Sequence, residues 1–268
     1  MIKNVKRFIP FKRTLKRMVN SYVDAWAAAR HFSFPSKYPW QWKAEMLRDN
    51  YEKDTTDLFK KTIEPGMIVV DVGAHIGYFT RLFSKLVGAE GAVFSFEPDP
   101  YNFSLLQKNT VRLNNVTILN AAVSDRDGMI DFYEVEDSTG CHTTIPTTAP
   151  AKKLSVEALT LDKFVKEKNL SVAIIKMDIE GGEPRALVGM RELLSKSKTL
   201  RIVMELNPDA LSGSGTTPAA VIASLKSHGF KAYAILRGGK VEELSPDFRN
   251  MVMYAGKSEY GNVLFEKK

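Results

Sequence analysis

One cysteine, Cys141, stands in the 268 residues, so the chain can form no intramolecular disulfide and is not a disulfide-stapled scaffold. No stretch approaches the roughly 18 to 20 unbroken apolar residues that a membrane span requires. No secretory apolar region follows the N-terminal charges either, so the sequence reads as that of a soluble, cytoplasmic protein. Compositional bias is absent too: 44% hydrophobic, 26% charged and 10% aromatic residues are ordinary globular values and exclude disorder throughout. Acids are missing from the first 20 residues, which carry Lys3, Lys6, Arg7, Lys12, Arg13, Lys16 and Arg17. Those seven bases account for the net charge of +7, because the other 31 basic residues meet 31 acids. The body is neutral, which speaks against a nucleic-acid-binding surface spread over the domain.

What is present begins with a stripe. Phe11, Leu15, Met18, Tyr22 and Trp26 follow at steps of 4, 3, 4 and 4, one face of a helix, with Lys12, Arg13, Lys16 and Arg17 largely off it. Two readings stand side by side. In one, residues 1–20 lie on an anionic membrane surface, making the protein peripheral at the membrane. In the other, the stripe packs on the domain and the bases are solvated. Residues 31–42 are aromatic and broken by Pro35 and Pro39, an ordered connector and not a flexible linker. Residues 1–50 thus read as a basic N-terminal helical extension with an aromatic connector, and 51–268 as one domain.

From residue 51 apolar runs alternate with helical stretches. Met67–Asp71, Ala92–Glu97, Val116–Leu119, Val172–Met177, Arg201–Leu206, Phe230–Ile235 and Met251–Tyr254 read as strands. Phe79, Leu82, Phe83 and Leu86 mark a helix that Gly88 ends. Asp99-Pro100 and Thr217-Pro218 open two more, each with a capping side chain followed by proline at the first helical position. Near-continuous apolar strands between helices predict an α/β protein with a parallel sheet covered on both faces. Such sheets bind ligands beyond the carboxyl ends of their strands, where strand order reverses. The ends are Asp71, Glu97, Asn120, Asp178 and Glu205.

Asp71-Val-Gly-Ala-His-Ile-Gly77 joins the first strand to its helix. Gly73 and Ala74 let a ligand approach the backbone, and free N–H groups at the helix start face an anionic group. Glu97, at the end of the neighbouring strand, can accept two hydrogen bonds from a ribose diol. Together they predict a nucleoside-bearing cofactor. The dinucleotide pattern G-x-G-x-x-G is not met, and no G-x-x-x-x-G-K-[ST] exists. Asp71 beside the glycine turn disfavours a pyrophosphate and suits an ammonium group. S-adenosylmethionine has one, along with a carboxylate, a sulfonium and a ribose.

VVDVGAHIGYFT (69–80), FSFEPDP (94–100), NAAVSDRDG (120–128), LTLDKFV (159–165) and IKMDIEGGEPRALVGM (175–190) occur in order. This set resembles the FkbM family of S-adenosylmethionine-dependent methyltransferases over about residues 50–206, the Lys-x-Asp-x-Glu-Gly signature being its specific part. The resemblance implies the class I methyltransferase (Rossmann-like) fold: a mostly parallel seven-stranded sheet, helices on both faces and the last strand antiparallel. It also implies O-methylation of a hydroxyl on a carbohydrate, lipid-linked or secondary-metabolite acceptor, a small molecule or glycan. By position, Asp71 and the Gly73-Ala74-Gly77 turn would hold the methionine end of the cofactor. Glu97 would hold the ribose, Pro98 would shape the adenine edge, and Asn120 and Ala121 would border the adenine. Asp125 would reach the adenine amine or serve only as a turn residue, and Tyr51 and Glu52 would close the cofactor from above. His75 departs from the family, which usually has Asn there.

Alternation puts Lys176 and Asp178 on one face of their strand, and a lysine in a central strand demands a carboxylate partner. Asp178 or Glu180 is the candidate base or orienter of the acceptor hydroxyl; an ion-pair network that only shapes the strand end is the competing reading. Asp178, Glu180 and Glu205 are all oxygen donors suited to a hard cation such as Mg²⁺, but strand ends of this fold commonly carry acids without metal, and none is assigned. His142 lies in a hydroxyl-rich loop and reads as a solvated histidine in preference to a base. A nucleic-acid or protein methyltransferase, or a non-catalytic membrane-surface module on the same fold, remains the alternative.

Overall fold

The computed structural model describes residues 8–136, 140–246, 248, 250 and 261–267. They fall into two compact units, Met1–Tyr51 and Glu52–Lys268.

The first unit holds α1 (Phe8–Ala29) and α2 (Trp40–Leu47). Its packed face is not the long stripe seen in the sequence. Val23 and Ala27 are buried, whereas Leu15, Met18 and Tyr22 are 51%, 66% and 72% exposed. Lys3, Lys6 and Arg7 lie outside the described residues, as do the side chains of Phe11, Lys12 and Arg13. The Lys43 ammonium of α2 reaches Asp24 of α1 at 2.8 Å. Between the helices Phe32 stacks on Phe34 at 4.6 Å, and Tyr38 meets Trp42 edge-on at 5.5 Å. These ring contacts order a connector that its two prolines keep out of a helix.

The second unit opens with α3 (Lys53–Thr62), β1 (Ile68–Val72), α4 (Tyr78–Val87), β2 (Ala92–Phe96), α5 (Pro100–Thr110) and β3 (Val116–Leu119). Then come β4 (Ala122–Val123), β5 (Gly128–Val135), β6 (Ala151–Leu159), α6 (Leu161–Glu167) and β7 (Val172–Met177). After α7 (Glu183–Val188) and α8 (Arg191–Lys196) the chain runs through β8 (Arg201–Leu206), α9 (Pro208–Gly213), α10 (Pro218–Ser227), β9 (Lys231–Leu236), β10 (Lys240–Glu243) and β11 (Gly261–Glu266). The caps act as the sequence predicts: Asp99 accepts from the Asn102 N–H, and Thr217 from the Ala220 N–H.

The main sheet has the order β10-β9-β11-β8-β7-β1-β2-β3. β1, β2, β3, β7 and β8 pair in parallel, while β11 runs antiparallel between β8 and β9. This is the expected class I arrangement with one correction: the sheet has eight strands, not seven. The extra strand, β10, turns back on β9 after Gly238-Gly239 and is exposed along its length. With no buried face, its Lys-Val-Glu-Glu sequence has no apolar alternation to announce it. The strand expected at Met251–Tyr254 lies outside the described residues. A three-stranded sheet, β4-β6-β5, stands apart and carries its own small core of Ile130, Phe132, Val156 and Ala158.

Apolar burial on both faces fixes the main sheet. Phe59, Phe79 and Phe83 interlock on one face, Phe59 and Phe83 with ring centroids 4.7 Å apart. Phe96, Met177, Met190 and Phe265 are almost fully buried in the larger cluster. Each such side chain contributes about 1.5–3 kcal/mol on leaving water. Strand order reverses between β7 and β1, and the carboxyl ends of strands at such a switch point are where open α/β sheets bind ligands. There Asp71 on β1 pairs in register with Lys176 on β7.

Candidate active site

The β1–α4 turn is shaped for close approach. Gly73 has φ +80°, and a β-carbon on it would lie 1.9 Å from the Asp178 carbonyl oxygen. At Gly77, with φ +89°, the nearest atom is a movable Leu106 methyl at 2.7 Å. Space excludes any side chain at Gly73, and the left-handed backbone disfavours one at Gly77. His75, between them, also sits in the left-handed region at φ +51°. That conformation favours Asn and His over other side chains, a physical reason for His to stand where the family usually has Asn.

Asp71 is fully buried; its Oδ2 accepts the Thr80 hydroxyl at 2.6 Å, and its Oδ1 has no hydrogen-bond partner among the described residues. Burial raises its pKa, against the pull of Lys176 and Thr80. Glu97 is 5% exposed and held from two sides, Oε2 accepting the His75 N–H at 2.7 Å and Oε1 the Asp99 N–H at 3.0 Å. Each oxygen keeps a further lone pair. Burial outweighs these bonds and pushes the Glu97 carboxyl up to about 8. Asn120 donates to the Glu97 and Pro98 carbonyls at 2.8 and 3.1 Å, tying the ends of β2 and β3 together. Ala121 beside it is 3% exposed. Asp125 lies exposed on the turn after β4, bonded to its neighbour Ser124 at 3.0 Å.

At the end of β7 the Lys176 ammonium meets Asp178 Oδ2 at 3.3 Å and lies 5.0 Å over the Phe79 ring. The carboxylate partner expected for this lysine is therefore present. Burial alone would lower the Lys176 pKa, but Asp178, Asp71 and Glu52 together raise it. Glu52 precedes α3 at φ +42° and accepts from Asn262 of β11 at 2.9 Å. Burial, partly offset by Lys176, pushes it up to about 7. Tyr51 belongs to the N-terminal unit, and its place above the cofactor stays an expectation.

Glu180 turns the chain at φ +49° and accepts from Asn207 at 3.2 Å. Burial, with repulsion from Asp178 and Glu183, pushes it up to about 8. Glu205 at the end of β8 is raised well above its usual range, by burial first and then by Asp178 and Glu180. Carboxylate oxygens of Asp178, Glu180 and Glu205 all lie within 4.8 Å of one another. Three residues of this region carry left-handed backbone without being glycine, namely Glu52, His75 and Glu180. Such conformations each cost of order 1–3 kcal/mol and cluster at functional sites.

His142 is not the solvated residue its loop suggests. Its side chain is 7% exposed, with Nε2 4.0 Å from Asp99 Oδ2, and its Nδ1 accepts the Val135 N–H at 3.0 Å. Burial lowers its pKa, so the ring is neutral with its proton on Nε2. No periodicity around His142 signals this, because the burial comes from the edge of the second sheet, where Phe132 meets the ring edge-on. Sequence reasoning also passed over Glu183, 2% exposed, whose Oε1 accepts the Ile179 N–H at 3.2 Å while Oε2 has no partner among the described residues. Glu183 is the third acid of Asp178-Ile-Glu-Gly-Gly-Glu183, and that density of acids at a strand end is the signal that could have found it.

The Glu97 shift predicts a pH dependence. Its folded pKa lies above the unfolded value of 4.5, so its contribution to stability is complete below 4.5 and is lost as pH rises through about 8. The unliganded protein should lose melting temperature between about pH 5 and pH 8, with a slope that flattens in Glu97→Gln. A slope unchanged in that variant would show that Glu97 is not the titrating group.

The FkbM methyltransferase domain model matches residues 71–232. The 2-O-methyltransferase NoeI of Sinorhizobium fredii is 28% identical over 151 residues, covering 50% of this chain and 62% of that protein. The hexuronic acid methyltransferase AglP of Haloferax volcanii is 27% identical over 155 residues, 57% of this chain and 61% of its own length. The 31-O-demethyl-FK506 methyltransferase FkbM of Streptomyces tacrolimicus is 26% identical over 204 residues, 64% of this chain and 75% of its own. The matched region thus spans about three fifths of NoeI and AglP. A crystal structure of methyltransferase FkbM from Methylobacillus flagellatus KT is similar at a TM-score of 0.46 and 15% identity, over 94% of this chain and 60% of that one.

Proposed function

Because this chain belongs to the FkbM methyltransferase family, we propose that it transfers a methyl group from S-adenosylmethionine to a hydroxyl of a carbohydrate, lipid-linked or secondary-metabolite acceptor. The observation that carries this reading is the buried, unpartnered Asp71 Oδ1 beside a turn in which Gly73 admits no side chain. A buried carboxylate oxygen without a donor is costly unless a ligand supplies one, and the cofactor's ammonium does so. Glu97 keeps two lone pairs for the ribose hydroxyls, and Asn120 and Ala121 border the adenine. When bound, S-adenosylmethionine supplies an electrophilic methyl on its sulfonium.

The rest falls to the strand-end carboxylates. Asp178, with Oδ2 held by Lys176 and its side chain 29% exposed, accepts the proton of the acceptor hydroxyl as that oxygen attacks. Glu180, fixed by Asn207, orients the acceptor. NoeI and AglP, named for 2-O- and hexuronic acid methylation, support a sugar hydroxyl as the acceptor. The neutral body weighs against a polyanion. Incubation with S-adenosylmethionine carrying a trideuteriomethyl group and separate glycan, lipid-linked and metabolite pools tests this by mass spectrometry. Enzyme-dependent label in a hydroxylated small molecule or glycan is expected; label confined to RNA or protein would overturn the acceptor class.

The exposed Leu15, Met18 and Tyr22, with Lys16 and Arg17 exposed beside them, support docking of α1 on an anionic membrane. Among the described residues no helix is long and apolar enough to cross one. Bases near such a surface contribute roughly 1 kcal/mol each. Deleting residues 1–20 should abolish salt-sensitive sedimentation with acidic vesicles and leave cofactor binding intact. Full-length protein that ignores acidic vesicles at low salt would end this reading.

A further inference from the structure

The geometry points to a divalent-cation site at the ends of β7 and β8, with Asp178, Glu180 and Glu205 as ligands and a hard ion such as Mg²⁺ or Mn²⁺ as occupant. It deepens the methyltransferase reading and rests on it, since the ion would hold the acceptor's oxygen beside the methyl donor.

Three features carry it. Carboxylate oxygens of the three residues fall within 4.8 Å of one another, close enough to close on one shared cation. They come from two strands and a strained turn, and the Glu180 backbone, at φ +49°, is what brings its side chain back to the other two. The charge is also lopsided. Asp178 has the Lys176 ammonium at 3.3 Å, whereas Glu180 and Glu205 meet no cation at ion-pair distance among the described residues.

Two side chains separate this from a solvated acidic patch. Glu205 turns its mostly buried carboxylate on Asp178 and Glu180 and has no hydrogen-bond or ion-pair partner among the described residues. Behind the turn Glu183, 2% exposed, leaves its Oε2 without a partner among the described residues. Proteins bury unpaired carboxylates at a cost, and a shared cation offsets it for all of them at once. Three carboxylate ligands leave roughly half of a six-coordinate ion open to water and the acceptor's oxygen.

Mn²⁺ titrated into the full chain and followed by the loss of its free electron paramagnetic signal tests the site without any acceptor. About one tightly held Mn²⁺ per chain is expected, displaced by Mg²⁺. Glu205→Gln and Glu180→Gln should each weaken it at least about 10-fold, and both should still bind S-adenosylhomocysteine, which reports that they fold. Mg²⁺ should raise the melting temperature of the wild type but not of Glu205→Gln. Absence of uptake at millimolar Mn²⁺, or uptake indifferent to Glu205→Gln, would overturn the proposal; the wild-type stoichiometry decides by itself should a variant fail to fold. A wild type that takes up Mn²⁺ but not S-adenosylhomocysteine would uphold the cation site and overturn the cofactor reading instead.

Discussion

Asp178→Asn is expected to lower turnover by about 10²–10⁴-fold, while the dissociation constant of S-adenosylhomocysteine stays within about 3-fold of wild type. The substitution keeps the volume and the shape of the side chain. What it removes is the negative charge proposed to receive the acceptor's proton. Lys176 loses its 3.3 Å partner but retains the charges of Asp71 and Glu52, so the strand end should persist. Cofactor contacts at the Asp71 turn and Glu97 are untouched. Single-turnover transfer of labelled methyl, measured alongside calorimetry, separates the two effects. If turnover holds while the melting temperature falls, Asp178 serves only to anchor Lys176.

Glu97→Ala should weaken S-adenosylhomocysteine about 10²–10⁴-fold, since two charge-assisted hydrogen bonds to the ribose, at about 1.5–3 kcal/mol each, would go. The same change strips the partner from the N–H groups of His75 and Asp99. A stability loss of about 1–3 kcal/mol for each group left buried and unpaired is therefore expected in urea unfolding. Glu97→Gln, which keeps one acceptor oxygen, should fall between. A dissociation constant that matches wild type in both variants would remove Glu97 from the cofactor site.

Both predictions rest on residues visible before any coordinates, because they are local. Asp71, Glu97 and Asp178 each close an apolar run, and the turn between Asp71 and Gly77 is spelled by its glycines. The caps Asp99-Pro100 and Thr217-Pro218 are local signals as well, and their helices begin where those residues place them. The remainder depends on contacts far apart in sequence. β6 mixes exposed Lys152, Lys153 and Glu157 with a few buried positions, and its strand character comes from pairing with β5. β10 is held by β9 alone. The burial of His142 follows from that second sheet, and the meeting of Glu205 with Glu180 from the β7–β8 register, in which Met177 pairs with Met204. No spacing in the sequence encodes such distances. The long apolar stripe of α1 leaves its partner open for a related reason: amphipathicity marks a face that prefers to leave water but not what covers it, and within its own unit Val23 and Ala27 form the packed side.

The most direct test of the account is calorimetric titration of the full-length protein with S-adenosylmethionine, S-adenosylhomocysteine and NAD. In the proposed site the ammonium of the first two would pair with Asp71 Oδ1 and their ribose with Glu97, whereas the pyrophosphate of NAD would meet the Asp71 charge at a turn that lacks the dinucleotide pattern. Binding should also release protons near neutral pH, because burial raises the Glu97 carboxyl to about 8 and the ribose hydroxyls bind its ionised form. One site for either S-adenosyl ligand, with proton release seen as a heat that changes with buffer, and no uptake of NAD is the result predicted. Tight NAD binding with no response to either S-adenosyl ligand would contradict it.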